Sequence, residues 1–470
     1  MFRGVYPISY EVASSSSSVV VVGIDGPPAE DDVVVPILLL NGFGVGTFHQ
    51  HRLMRRLLLE GGRSSRRGGE GEGVVAPPVV RYLIYGVDYL GQGLSWPTDC
   101  DDGRSDHELG LSYSADTWLE QLGGFLGEVV VPSSSQSSPG AHLVGNSVGG
   151  YLATMLARRH PSLVSSLSLL NATPVWGLNL PGWDGRLPPP AVPRFVGRKL
   201  FDVIRDPGVI DMYLEAAYVH REAFDGTHRD GFFFDDGCGG GGSDGGGGGT
   251  GARAGALGAK IRACTEGGGG HAAFASILWS APASERRATD GPRGGGGGGG
   301  GDDDDDGDGE DDDDLPTTAV DFYRALGDLG ADVLLLFGAD DPWCTPAIAK
   351  RMHAAGPSDG GSGGGGAARR PPARRYVSLD SVGHCPNHEA PTAVARVLLS
   401  WIGATPSSSG CDGDNDDRGG VGSSRRDVPL VSGGADRVSE PWGVVGIREV
   451  PIEESRNLRL VDRIVSYMVG

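Results

Sequence analysis

The chain's residue pattern predicts an α/β fold: a mostly parallel central sheet flanked by helices, with a helical lid inserted after one strand. Three observations predict it. Short β-branched and aliphatic runs alternate with segments whose apolar residues recur every three to four positions, as when strands are joined by crossover helices. At one such junction a serine stands between glycines. From residue 172 to about residue 317 the alternation stops, and aromatic helical segments take its place between Gly- and Asp-rich stretches.

Residues 8–12, 19–23, 36–40 and 79–85 read as strands, the later two followed by the glycine turns NGFGVG and DYLGQGLS. Residues 49–59 and 114–129 have helical periodicity, and 142–144 form a short buried strand. Tyr151, Leu152, Met155 and Leu156 then recur at helical spacing until Pro161 closes the segment. Strands at 167–171, 333–337 and 376–379 complete the set. A helix over 391–401 follows, with Val394, Val397, Leu398 and Trp401 on one side. On this reading residues 1–171 and 318–403 are two parts of one core, and 172–317 form the lid with Gly/Asp-rich disordered insertions. Residues 404–470 are a low-complexity tail ending in a short amphipathic helix.

The 470 residues alone would predict about three domains. Runs such as 14–18, 239–249, 294–301 and 360–366, however, have too little apolar surface to order themselves, so a single domain is expected. About half of the net charge of −21 comes from the eleven acidic residues of segment 302–314, which reads as a solvated loop. No basic stripe with interleaved aromatics is present, which argues against a nucleic-acid partner. The six cysteines, at 100, 238, 264, 344, 385 and 411, have no C-x-x-C or framework spacing. That predicts a reducing compartment and no zinc site, and no metal or cofactor is called for. Apolar runs such as 33–40 are too short to span a bilayer, and neither a secretory signal nor a transit peptide is visible before the first strand.

The stretch AHLVGNSVGGYLATM carries the chemistry. Gly145 and Gly149 flank Ser147 at −2 and +2, so side chains that would collide in a tight strand-to-helix turn are missing and the hydroxyl stands exposed on strained backbone. A serine hydroxyl becomes a strong nucleophile only when a base takes its proton, and the base needs an acid to hold one tautomer. In α/β hydrolases, whose nucleophile turn this stretch resembles, the chain order is Ser, acid, His. VLLLFGADDPW supplies Asp341, with Asp340 the less favoured neighbour, and YVSLDSVGHCP supplies His384. Each follows its own strand. The turn NGFGVG offers the Phe43 amide to pair with that of Val148 as donors to an oxyanion.

These residues resemble the α/β hydrolase superfamily, and more closely its pheophytinase family of chloroplast serine esterases. The matching stretches are NGFGVGTFH, VDYLGQGLSWPT, VGNSVGGYLA, LLNATPVWG, AFASILWSAP, FGADDPW and GHCPNHEAP, which cover most of residues 37–401 outside the glycine and acidic inserts. NATPVWG and AFASILWSAP tell most, because lid segments diverge between families with different substrates. The resemblance implies an α/β-hydrolase fold, Ser147 as nucleophile, His384 as base, Asp341 as acid and an oxyanion hole at Phe43 and Val148. It also implies a chloroplast location and removal of phytol from pheophytin to give pheophorbide in chlorophyll breakdown. Asn41 stands where such enzymes commonly have His or Pro, and Val148 where Leu is usual.

The lid's Trp176 and Trp183 are expected to line an apolar pocket for the ester. A hydrolase or acyltransferase acting on another lipophilic ester or thioester, and a ligand receptor that keeps the fold, are the other readings of the same residues. In the last segment Leu458, Val461, Val465 and Met468 share one helical face. Packing onto the domain and peripheral contact with a membrane surface both fit it.

Overall fold

A computed structural model of the chain describes residues 19–22, 33–66, 80–93, 95, 110–131, 140–227, 256–266, 269–283, 319–356, 372–404, 425–431 and 435–457. The expected strand at 8–12, the glycine and acidic runs and the terminal amphipathic segment lie outside the described residues. Nine strands form one sheet: β1 (Val19–Val22), β2 (Val33–Leu40), β3 (Val80–Val87), β4 (Ala141–Asn146), β5 (Val164–Leu170), β6 (Asp332–Gly338), β7 (Arg374–Asp380), β8 (Ala435–Glu440) and β9 (Gly443–Val450). Their spatial order is β1, β3, β2, β4, β5, β6, β7, β9, β8. Strands β2 to β7 pair in parallel, whereas β1 runs antiparallel on β3, and the β8–β9 hairpin runs antiparallel on β7.

Helices close both faces. They are α1 (His51–Arg66), α2 (Ala115–Phe125), α3 (Val148–Arg159), the inserted helices α4 (Ala191–Ile204), α5 (Pro207–Ala217), α6 (Ala256–Ala263) and α7 (Gly270–Trp279), then α8 (Ala319–Gly327), α9 (Pro346–Ala354), α10 (Pro386–Glu389), α11 (Pro391–Gly403) and α12 (Ile452–Arg456). The period-2 alternation of a strand sends Leu38, Leu40, Val333, Leu335 and Phe337 to one apolar layer. Ile37, Leu39, Leu334 and Leu336 go to the other. Both layers are covered, which is why these strands read as unbroken apolar runs. Ser114 caps α2, its side chain accepting from the Thr117 N–H. The parallel sheet with flanking helices and the helical insertion between β5 and β6 make this an α/β-hydrolase fold.

The tail is where sequence and structure part. Residues 404–470 were expected to be low complexity up to a final helix, yet 435–450 form β8 and β9 and extend the sheet. Val438, Val445 and Ile447 point into the same apolar layer as Leu398 and Trp401 of α11. Tertiary burial on α11 and pairing with β7 specify the hairpin, and its few alternating valines are hard to see among the surrounding Gly, Ser and Asp. Among the described residues no helix is long and apolar enough to cross a membrane.

Candidate active site

Ser147 occupies the single-residue turn between β4 and α3, with φ 54° and ψ −121°. A non-glycine residue held there costs about 1–3 kcal/mol, so the surroundings must enforce it. They do so by close approach. A Cβ at Gly145 would meet the Gly149 carbonyl oxygen at 2.3 Å, and one at Gly149 would meet that of Leu40 at 2.5 Å. The Ser147 N–H donates to Leu170 O at 3.0 Å, and its carbonyl accepts from Gly150 N–H at 2.9 Å and Thr173 N–H at 3.2 Å. The expected turn is therefore present at the expected residue.

Asp341 and His384 sit beyond the ends of β6 and β7, and their side chains meet: His384 Nδ1 lies 2.7 Å from Asp341 Oδ2. Asp341 is only 3% exposed. Burial would raise its carboxyl, but the His384 imidazole, the Trp343 N–H and the Asn171 amide outweigh burial and hold it below the ordinary carboxylate range. Its Oδ1 accepts from Trp343 N–H at 2.8 Å and Cys344 N–H at 3.1 Å. The Trp343 ring stands edge-on to His384, with centroids 4.9 Å apart, and limits how the imidazole can tilt. Asn146 Nδ2, beside Ser147, donates to the His384 carbonyl at 3.1 Å, tying the His384 loop to the turn. Asp340, the less favoured acid, is not part of this pair.

The donor atoms of Asp341, Cys344 and His384 lie within 4.8 Å of one another, a spacing a cation could use. Burial raises the Cys344 thiol well above its ordinary pKa, so without a cation beside it the group is a neutral thiol.

Two residues that sequence reasoning missed support the pair. Asn171, fully buried at the end of β5 with φ 41°, donates from Nδ2 to Asp341 Oδ2 at 2.5 Å, while its Oδ1 accepts the Gly338 N–H at 2.9 Å. Asn tolerates that backbone better than most residues, which was the available signal in LLNATPVWG. Glu389 Oε2 accepts the Gly383 N–H at 2.8 Å, and its Oε1 accepts the His220 N–H at 2.7 Å. The His384 loop is thereby joined to the segment after α5, where His384 N–H also donates to Ala217 O at 2.7 Å. We expect Asn171→Gly, which keeps the backbone but removes the side chain, to lower kcat for an ester by about ten- to a hundredfold with KM little changed. Steady-state kinetics on the variant checks this.

Phe43 lies on the turn after β2, and Val148 is the first residue of α3, where its N–H belongs to the unpaired first turn of the helix. A Cβ at Gly42 would stand 3.6 Å from Ser147 Cβ, so the Phe43 turn lies against Ser147. That turn is fixed from the DYLGQG segment. Tyr89 OH donates to Asn41 O at 2.9 Å, and Gln92 Oε1 accepts from Gly44 N–H at 2.8 Å.

The two tryptophans do not line the cleft beside Phe43. Trp176 is buried in the core, edge-on to Trp118 with centroids 5.0 Å apart, because the chain leaving β5 folds straight back over α3. Trp183 packs on Trp279 inside the lid, and its Nε1 donates to Arg186 O at 2.9 Å. The cleft is walled instead by Phe201, Ile204, Phe274 and Ile277 from α4 and α7 and by Gly91 and Gln92 from the segment after β3.

The class these features define is the α/β-hydrolase fold, with a strained serine at the turn between β4 and α3. No family model matches the chain. Over 161 residues it is 33% identical to the chloroplastic pheophytinase of Arabidopsis thaliana, a match covering 30% of this chain and 28% of that protein. The chain thus spans under a third of the length of the curated relative it matches. Among solved structures it is similar to an esterase from Exiguobacterium antarcticum, at 15% identity and TM-score 0.45, covering 84% of this chain and 98% of that one. It is also similar to a thermophilic esterase from Thermogutta terrifontis, at 13% identity and TM-score 0.44, covering 84% and 96%.

Proposed function

We propose that the chain is a serine carboxylic-ester hydrolase acting on a lipophilic ester, and that the ester is the phytyl ester of pheophytin. The observation that carries the reading is the Asp341–His384 hydrogen bond, held by Asn146 beside a serine in a strained turn. Ser147 Oγ attacks the ester carbonyl carbon while His384 takes its proton. The amides of Phe43 and Val148 donate to the oxyanion, and the tetrahedral intermediate collapses as protonated His384 gives its proton to the leaving alcohol. Water, deprotonated by His384, then releases the acid and restores Ser147. Asp341 stays ionised throughout and fixes the imidazole tautomer.

Two observations support the choice of substrate. The cleft beside Phe43 is walled by aromatic and aliphatic side chains. The matched relative is a pheophytinase. A long apolar alcohol fits such walls, and the same likeness supports a chloroplast location. Incubation of pheophytin a with the parent protein and with Ser147→Ala, followed by HPLC, tests the reading. Pheophorbide is expected from the parent alone. Cleavage of short-chain esters without pheophorbide would leave the esterase and remove the pigment.

A further inference from the structure

A second cavity, of about 240 Å³, opens between α1 and the turn of the β8–β9 hairpin, and neither Ser147 nor His384 is among its walls. Its polar wall is three guanidiniums, Arg52, Arg55 and Arg56, which share one face of α1 at i, i+3 and i+4. The remaining walls are apolar: Leu59, Pro391, Pro441 and Trp442.

The cavity is built on fixed groups. Arg52 is buried and donates from Nη1 to Ala223 O at 2.7 Å and to His388 O at 3.2 Å, and its Cζ lies 4.9 Å from the Trp442 ring centroid. Trp442 Nε1 donates to Glu389 O at 2.8 Å. Glu440, a nearby carboxylate that feels the Arg56 charge, is not among the cavity walls. Its oxygens accept from Thr392 N–H and Oγ1 and from Ala393 N–H at 2.7 to 3.0 Å.

We propose that this cavity is an anion-binding site for a phosphate group, carried either as a free small phosphate or as a lipid headgroup. Planar guanidiniums match phosphate oxygens two at a time, and apolar walls strengthen the attraction by excluding water. Ligand pockets that enclose drug-sized molecules run from about 300 to 1,000 Å³, so this one takes a headgroup rather than a broad ester. The site is independent of the proposed esterase reaction, and its test needs no turnover.

The test compares the full chain with Arg55→Gln/Arg56→Gln, and with Arg56→Gln alone as a second variant in case the double variant does not melt cooperatively. Inorganic phosphate, against chloride at matched ionic strength, is expected to raise the melting temperature of the parent and not that of the variants. Titration should show binding at least about tenfold weaker in the variants, as loss of a charge-assisted hydrogen bond implies. Phosphatidylcholine vesicles with and without phosphatidic acid distinguish the sources. Co-sedimentation with the acidic vesicles only, lost in the variants, assigns a lipid headgroup; a phosphate response without vesicle binding assigns a free phosphate. Equal responses from parent and variants, or none in either arm, overturn the proposal.

Discussion

Ser147→Ala is expected to lower kcat for a p-nitrophenyl ester by about six powers of ten, leaving a residual rate of about 10³ over water from the oxyanion donors and binding. The magnitude follows from how the three groups depend on one another. Without the Ser147 hydroxyl, His384 has no proton to take, so the Asp341–His384 pair, bonded at 2.7 Å, loses its purpose. Removing His384 as well should therefore add little, because residues that act as a unit are not additive. Asp341→Asn is a different kind of loss. The carboxylate accepts from four donors, and an amide there presents a donor to Nδ1 and stabilises the wrong tautomer; about 10⁴ is expected. Steady-state turnover of the three variants measures the set.

The second large effect is on stability, and it lies in acid. His49 and His142 are buried, and burial, together with neighbouring positive groups, lowers each pKa from 6.5 to about 3. Burial lowers His353 to about 4. Each ring pairs with a hydroxyl: His49 with Tyr218 at 2.8 Å, His142 with Ser166 at 2.7 Å and His353 with Ser455 at 2.9 Å. Between the folded and unfolded pKa values the unfolded chain binds protons that the folded chain refuses, so stability rises with pH from about 3 to 6.5 and is lost as pH falls through that window. Each histidine contributes up to about 1.4 kcal/mol per pH unit, and three together about 4. Against a total of about 5–15 kcal/mol, that removes most of the folded state's margin within about two to three units. We expect the melting temperature to fall steeply below about pH 6, before carboxylates such as Asp341 are protonated, with a shallower slope in His142→Asn. A series of melts from pH 4 to 8 checks both.

What was legible in the sequence was whatever short segments determine by themselves. The Ser147 turn could be read because strand, glycines and helix all lie within AHLVGNSVGGYLATM, and the structure returns them as β4, the turn and α3. Asp341 and His384 were readable from chain order and from the strands before them. Asn171, Asn146 and Glu389 were not, since each acts on a partner placed by the fold; Asn171 and Asp341 lie 170 positions apart. The lid's tryptophans misled for a related reason. A large aromatic after β5 is as good a core residue as a pocket wall, and only the path of the chain over α3 decides that Trp176 meets Trp118. The β8–β9 hairpin was hidden because α11 and β7, not its own composition, make it fold.

The central claim, that Ser147 is a nucleophile activated by His384 and Asp341, is tested most directly by covalent trapping. The parent protein, Ser147→Ala and His384→Ala are each treated with a fluorophosphonate ester, followed by intact mass measurement and peptide mapping. The account predicts one adduct per parent chain, located on Ser147, none on Ser147→Ala, and labelling of His384→Ala slowed by several powers of ten. An adduct on another residue, or equal labelling of parent and His384→Ala, would contradict it.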